Sequence, residues 1–356
     1  MSTSSVGMRV KRHRDCGWVY FSNIPSSPPE IKEHAAQMYG EESGVQAVPQ
    51  KQIVKPLYRC HSKYVVKMTT ITRENVTTLF PDVHTRLIGA DMAPTATPDA
   101  TSSNSNSNSN SSDDLAGYDE EQIRLMDEVC IVLDENDMPI GSASKKACHL
   151  MTNINQGLLH RAFSAFVFDP QTKKLLLQQR ASEKITFPDM WTNTCCSHPL
   201  AHPSETGHGD LVSNVEGAKR AAIRKLNHEL GIQPSQVPME KFDFLTRIHY
   251  LAPSDGKWGE HEIDYILFIE ADVTLDINKN EVQDTRWVSP EELRQMFKDV
   301  ESRSGRDQAL KYTPWFRLIC EGMLFDWWEK MAEGKLSEVA NETQIRRMLE
   351  AATEKK

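Results

Sequence analysis

The chain has 356 residues, a formal charge of −9 and 39% hydrophobic residues, enough for a sizeable core with some sequence left outside it. No run of about 18 apolar residues occurs, so no membrane-spanning helix is expected, and no secretory apolar region is visible near the N-terminus. The acidic balance argues against nucleic-acid partners. The seven cysteines, an odd number with Cys195 and Cys196 adjacent, do not read as a disulfide framework and point to a reducing compartment, with the cytoplasm as the default.

Residues 1–92 carry twelve Lys/Arg against eight Asp/Glu, so the remainder holds the whole acidic excess. A phosphate-bearing ligand would need local basic residues inside that acidic body. Residues 1–92 lack long periodic segments and contain Pro/Ser-rich stretches such as Ser22 to Pro29. Arg9, Lys11, Arg12 and Arg14 suit either an organellar transit peptide or a solvated tail, and Asp15 favours the tail. This stretch is expected to be an N-terminal extension, poorly structured or targeting. Residues 93–116, with Ser-Asn repeated from 103 to 111, bury too little apolar surface to offset their ordering entropy and read as a disordered linker. The folded body is then 117–356.

Within that body, residues 129–141 read as a strand and hairpin turn, and 158–169 and 174–180 as paired strands around a turn at Pro170 to Lys173. Residues 213–230 form the strongest helix, with Val215, Ala218, Ala222 and Leu226 at three- and four-residue spacing and Gly231 as the stop. Residues 241–252 and 261–273 are further strands. Ser289, Pro290 and Glu292 open a capped helix, and 315–331 read as a last, mostly buried helix. Strands and helices intermix, so the class is α/β or α+β.

Three histidines, His149, His160 and His198, fall among the early elements, and Glu260 and Glu262 come later. On a strand Glu260, Glu262 and Asp264 share one face, while His261, Ile263, Tyr265 and Leu267 take the other. Carboxylates on one face repel unless a cation lies between them, and imidazoles with carboxylates suit Zn²⁺, Mn²⁺ or Fe²⁺. No close-spaced ligand motif unites the five, so spacing alone leaves structural histidines and an exposed charged strand end as alternatives. The helix ends in RKLNHELGI, Arg224 to Ile232, which resembles the end of a Nudix box. Lys225 and His228 replace two of its glutamates, which disfavours phosphoanhydride hydrolysis by clustered Mg²⁺, while Glu229 remains on the same helix face as Lys225.

The segment WTNTCCSHP, Trp191 to Pro199, carries the most specific pattern, and residues 246–268 stand beside it. Together with Arg180, Ala181, Lys184 and the altered Nudix box between them, these motifs resemble type I isopentenyl diphosphate:dimethylallyl diphosphate isomerases over roughly residues 122–332. The resemblance implies a Nudix-like α/β/α sandwich with a mixed sheet and extra helices. It implies interconversion of isopentenyl and dimethylallyl diphosphate by an allylic 1,3-proton shift, feeding isoprenoid and sterol precursors. Under it, Cys196 and Glu262 are the catalytic pair, with Tyr250 supporting Glu262. His149, His160, His198, Glu260 and Glu262 are the ligands of one divalent transition metal. Glu229 helps bind Mg²⁺ carried by the diphosphate. Lys145, Arg180, Lys184 and Lys225 surround that diphosphate, and Trp315 lines the hydrocarbon end. The partner is a small isoprenoid diphosphate, and a monomer is the default expectation. A Nudix pyrophosphohydrolase and a non-catalytic, metal-stabilised binding module are the competing readings.

Overall fold

The β-rich runs of the body form ten strands joined in one mixed sheet: β1 (Val129–Leu133), β2 (Pro139–Ser144), β3 (His160–Phe168), β4 (Leu175–Arg180), β5 (Trp191–Thr192), β6 (Cys195–Ser197), β7 (Asp243–Pro253), β8 (Gly259–Glu270), β9 (Val282–Val288) and β10 (Ile345–Arg347). This computed structural model describes residues 70–85, 114–302 and 311–349. All of these lie in the unit Ser62–Lys356. The basic cluster at Arg9 to Arg14, the Ser22 to Pro29 stretch and linker residues 93–113 lie outside the described residues.

The main strand order is β10-β7-β8-β3-β1-β2, and β3–β8 and β7–β10 run parallel. The expected pair β3 and β4 meets only at its turn, Phe168 opposite Leu175. Beyond that point β4 turns away to pair along its length with β9, while β3 has β8 on one side and, on the other, β6 at Phe163 to Ala165 and β1 at His160.

Nine helices are described: α1 (Val76–Leu79), α2 (Glu120–Leu125), α3 (Lys145–His149), α4 (Met151–Ile154), α5 (Pro203–Thr206), α6 (Leu211–Leu230), α7 (Pro290–Ser302), α8 (Pro314–Ile319) and α9 (Phe325–Ala332). On one sheet face Ala218, Ala222 and Leu226 of α6 pack with Phe163, Ile263, Tyr265 and Leu267. On the other, Trp315, Phe316, Trp327 and Trp328 of α8 and α9 pack with Phe166, Phe168, Ile266 and Phe268. Helices cover both faces, giving an α/β/α sandwich.

The helix α6 starts at Leu211, two residues before the expected 213, because the Asp210 carboxylate accepts from the Ser213 amide at 2.9 Å. It stops at Gly231, whose φ of 68° is left-handed. A Cβ there would lie 2.4 Å from the Asp276 carbonyl oxygen, so only glycine fits. The α7 capping box forms as expected: Ser289 Oγ accepts from the Glu292 amide at 3.2 Å, and Glu292 Oε2 from the Ser289 amide at 2.7 Å. The last helix is interrupted by a π turn, Cys320–Leu324, between α8 and α9.

The folded body begins earlier than expected. Ile71, Val76, Phe80 and Val83 are buried against Cys130, Val132 and Ile140 of the β1–β2 hairpin. His84 exchanges two 2.8 Å backbone hydrogen bonds with Ser142. Residues 70–85 therefore belong to this body, not to an unstructured extension, because they cover the hairpin's outer apolar side.

One buried ionic cluster ties the hairpin turn to the sheet beside the site strands. Asp137 receives Arg161 Nε at 3.1 Å, Arg247 Nη1 at 2.7 Å and the Tyr265 hydroxyl. Arg161 is fully buried next to His160 on β3. Removing one partner of such a cluster leaves uncompensated buried charge, so Asp137→Ala is expected to cost about 3 kcal/mol or more. Denaturant unfolding checks this, and an unchanged midpoint would mean the cluster contributes little.

Candidate active site

The register of three adjacent strands builds the centre of the site. In β8, Glu262 stands directly opposite His160 of parallel β3 and Tyr250 of antiparallel β7. Cross-strand partners share a face, so the three side chains form a row. His160 Nε2 lies 3.2 Å from Glu262 Oε1, and the Tyr250 hydroxyl donates to Glu262 Oε2. Burial opposes the charge on Glu262, yet the adjacent His160 imidazole and the Tyr250 hydroxyl outweigh it and hold the carboxyl below its ordinary range. Burial and the Glu262 charge push the Tyr250 hydroxyl well up, so it keeps its proton and donates.

Two more histidines enter from neighbouring elements. His149 ends α3, where its Nδ1 donates to the Lys145 carbonyl at 2.6 Å and aims Nε2 inward. His198 follows β6, with Nε2 at 2.8 Å from Glu262 Oε1. The three imidazole centroids lie 4.7, 4.8 and 4.9 Å apart. Glu260, two residues before Glu262 on the same face, brings Oε2 to 2.7 Å from His149 Nε2. One donor atom from each of the five residues lies within 4.8 Å of all the others.

These residues fit a metal ion. His149 Nε2, His160 Nε2 and Glu260 Oε2 are buried and have no hydrogen-bond partner among the described residues, although they crowd together. Buried polar atoms are rarely left so. Burial, with the neighbouring His149 and His160, pushes His198 well down, towards the neutral imidazole that serves as a ligand. The Nδ1 bond of His149 is the outer-shell contact that typically orients a metal-bound imidazole.

Cys196 lies in β6 opposite Ser164 of β3. Its thiol donates to Asn193 Oδ1 at 2.9 Å and receives the Trp315 indole N–H at 2.9 Å. Asn193 is itself fixed by donating to the carbonyls of Ala165 and Cys195, each at 3.0 Å. Tyr250 and Trp315 face each other with ring centroids 6.1 Å apart. Thiol, indole, phenol and Glu262 thus form one continuous wall.

The basic residues gather beside it. Arg180 donates to the carbonyls of Phe187 at 2.9 Å and Thr186 at 2.8 Å, and its guanidinium lies 5.8 Å from the centre of the Trp315 ring. Lys184 Nζ sits 2.5 Å from Glu281 Oε2. Lys225 Nζ lies 3.2 Å from Glu229 Oε1, one helical turn away on α6. Burial disfavours the Lys225 charge, but Glu229 and Glu281 outweigh it and keep the ammonium charged.

Residues 158–311 match the NUDIX domain. The isopentenyl-diphosphate delta-isomerase of Aspergillus fumigatus is 60% identical over 286 residues, covering 78% of this chain and 96% of its own length. The isopentenyl-diphosphate delta-isomerase of Gibberella zeae is 60% identical over 278 residues, with 78% and 96% covered. This chain belongs to the isopentenyl-diphosphate delta-isomerase family. A third relative of that name, from Schizosaccharomyces pombe, is 63% identical over 212 residues, covering 60% of this chain and 88% of its own. The NUDIX match and the five-residue cage agree on divalent-metal binding.

Of the residues expected from the isomerase resemblance, Lys145, Arg180, Lys184, Cys196, His198, Tyr250, Glu260, Glu262 and Trp315 line one cavity. His149 and His160 are fully buried in the metal cage. Lys225 and Glu229 are also buried and stand behind the wall. The sequence reading missed Gln122, Met126, Ile185 and Thr186 on the wall, and Glu281 behind it. Asn193 stood within the Trp-Thr-Asn motif, but its hold on the thiol needed the fold to be seen.

The site carries a pH dependence at Cys196. Burial pushes its thiol up to about 12. A raised value means the thiol is protonated across neutral pH, and the thiolate fraction climbs until that value is reached. Alkylation at Cys196 by iodoacetamide, followed by peptide mass spectrometry, is therefore expected to rise about tenfold per pH unit from pH 7 to 10. A plateau near pH 8 would contradict a thiol that stays protonated across neutral pH.

Proposed function

We propose that this chain interconverts isopentenyl diphosphate and dimethylallyl diphosphate through proton transfers by Cys196 and Glu262. One observation carries the reading: a half-buried thiol and a buried carboxylate line the same cavity, and the carboxylate also belongs to a three-histidine, two-glutamate cage.

Moving the double bond requires one proton delivered to the terminal alkene carbon and one removed from the carbon next to the tertiary centre. Two proton-handling groups are needed, and one shared proton is enough to start. Cys196 is held as the thiol by burial. Glu262 is held as the carboxylate by His160 and Tyr250. Tyr250 keeps the Glu262 carboxyl aligned, while Asn193 and the Trp315 indole fix the sulfur. The Trp315 ring supplies an aromatic face for the positive charge that develops on the tertiary carbon. The buried wall keeps water from capturing it.

His149, His160, His198, Glu260 and Glu262 would hold one Zn²⁺, Mn²⁺ or Fe²⁺, which would neutralise the paired carboxylates and fix Glu262. Glu229 would help hold Mg²⁺ brought by the diphosphate. Lys145, Arg180, Lys184 and Lys225 anchor the diphosphate, so remote binding energy positions a hydrocarbon too small to hold itself. One chain supplies every group the scheme uses, so a monomer is the proposed working unit. Among the described residues no helix is long and apolar enough to cross a membrane. The water-soluble diphosphates make the cytosol the proposed setting.

A pyrophosphohydrolase is not favoured. Lys225 and His228 stand at two Nudix-box carboxylate positions and contact each other at 3.1 Å, and hydrolysis leaves Cys196 without a task. Incubating the purified chain with isopentenyl diphosphate and Mg²⁺, then separating the products, tests the proposal. Dimethylallyl diphosphate is expected. Release of inorganic phosphate with the alkene intact would refute it.

A further inference from the structure

Four basic side chains are proposed to receive the diphosphate, and like charges brought together repel. Something must hold them in place before substrate arrives. Glu281, immediately before β9, occupies the position that does so. Its side chain is 0% exposed and does not line the cavity. Oε2 lies 2.5 Å from Lys184 Nζ and 3.9 Å from Lys225 Nζ. Oε1 accepts from Gln122 Nε2 at 3.0 Å. Its backbone carbonyl accepts from the Ala181 amide at 3.1 Å, beside the bulge where Arg180 meets Val282. One carboxylate therefore touches two of the bases, borders the strand end that carries a third, and is braced by a residue of the cavity wall.

We propose that Glu281 is a positioning residue that assembles Lys184 and Lys225 into a diphosphate cradle before substrate binds. The inference rests on the isomerase reading and names a residue beyond it. Glu229 cannot fill the role alone: it has no ion pair with Lys184, its Oε2 is engaged by Gln178 at 3.1 Å, and it is the group proposed to help hold Mg²⁺. Glu281 remains with both lysines. Burial lowers the tendency of Lys184 to stay charged, and Glu281 is the main influence opposing that. Without Glu281, Lys184 would be a buried, unpaired ammonium that loses its proton or swings away.

The test uses the full-length protein and inorganic pyrophosphate with Mg²⁺ as the probe, by competition and calorimetry, alongside KM and kcat for isopentenyl diphosphate. In Glu281→Gln, pyrophosphate affinity is expected to fall and KM to rise by about tenfold, the size of effect an unpaired buried partner produces, with kcat changed less than about threefold. The loss should deepen from pH 7 to pH 9, as Lys184 deprotonates in the variant before it does in the wild type. Glu281→Asp should recover part of the loss. A merely structural role would move stability without this split or this pH dependence. If Glu281→Gln does not fold, Glu281→Asp reads the same quantity, with a smaller loss of about threefold expected. Pyrophosphate binding as tight as in the wild type, or tighter, overturns the proposal. A wild-type chain that does not bind pyrophosphate would overturn the isomerase reading and this inference with it.

Discussion

Cys196→Ser is expected to lower turnover by about three orders of magnitude while KM stays within about threefold. The substitution keeps a small donor in a pocket whose partners, Asn193 and Trp315, can bond oxygen as well as sulfur. The fold and the metal cage should therefore survive. What changes is proton affinity: a serine hydroxyl is a far poorer proton donor than a thiol, and burial weakens it further. Initial rates with isopentenyl diphosphate measure this directly, and near-normal turnover would remove Cys196 from the mechanism. Cys195 is the control. It is fully buried on the opposite side of the strand, with Sγ 3.6 Å from Glu229 Oε2, and Cys195→Ser should cost less than about fivefold.

The second large effect is expected at Glu262, which belongs to both halves of the site. Glu262→Gln replaces a charge that faces His160 at 3.2 Å, His198 at 2.8 Å and the Tyr250 hydroxyl. The carboxamide is uncharged and presents an N–H₂ where one of these donors needs an acceptor. Metal retained after dialysis, read by elemental analysis, should drop by about tenfold or more. Turnover should fall by about three orders of magnitude or more, because a proton acceptor is lost together with its support. Full metal content with full activity would undermine the scheme. Full metal with lost turnover would separate Glu262's proton role from its ligand role.

What the sequence made legible was what chemistry fixes in residue type. The three histidines and two carboxylates suited a metal by type, but it was the resemblance carried by Trp191 to Pro199 and residues 246–268 that named the site residues, because their spacing alone left structural histidines and a charged strand end as alternatives. Lys225 and Glu229 were readable as neighbours because helical spacing alone brings them together. Long-range partners were not readable in this way. Glu281 is separated by 97 positions from Lys184 and stands in a loop with no periodic signal. The apolar run of β4 fits any buried neighbour equally well, so its pairing with β9 instead of β3 had to come from the fold. The four-residue α1 was too short to show a period, and the 70–85 segment passed for an extension until its side chains were seen under the hairpin.

The central claim is that Cys196 and Glu262 exchange protons with an alkene. Proton NMR of isopentenyl diphosphate in heavy water, with the purified metal-loaded protein and Mg²⁺, tests it most directly. The expected result is a growing dimethylallyl signal with deuterium entering both the new methyl group and the carbon that gave up its proton. An alkene that keeps its protons and its position, in protein shown to carry its metal and a reduced Cys196, would contradict the claim.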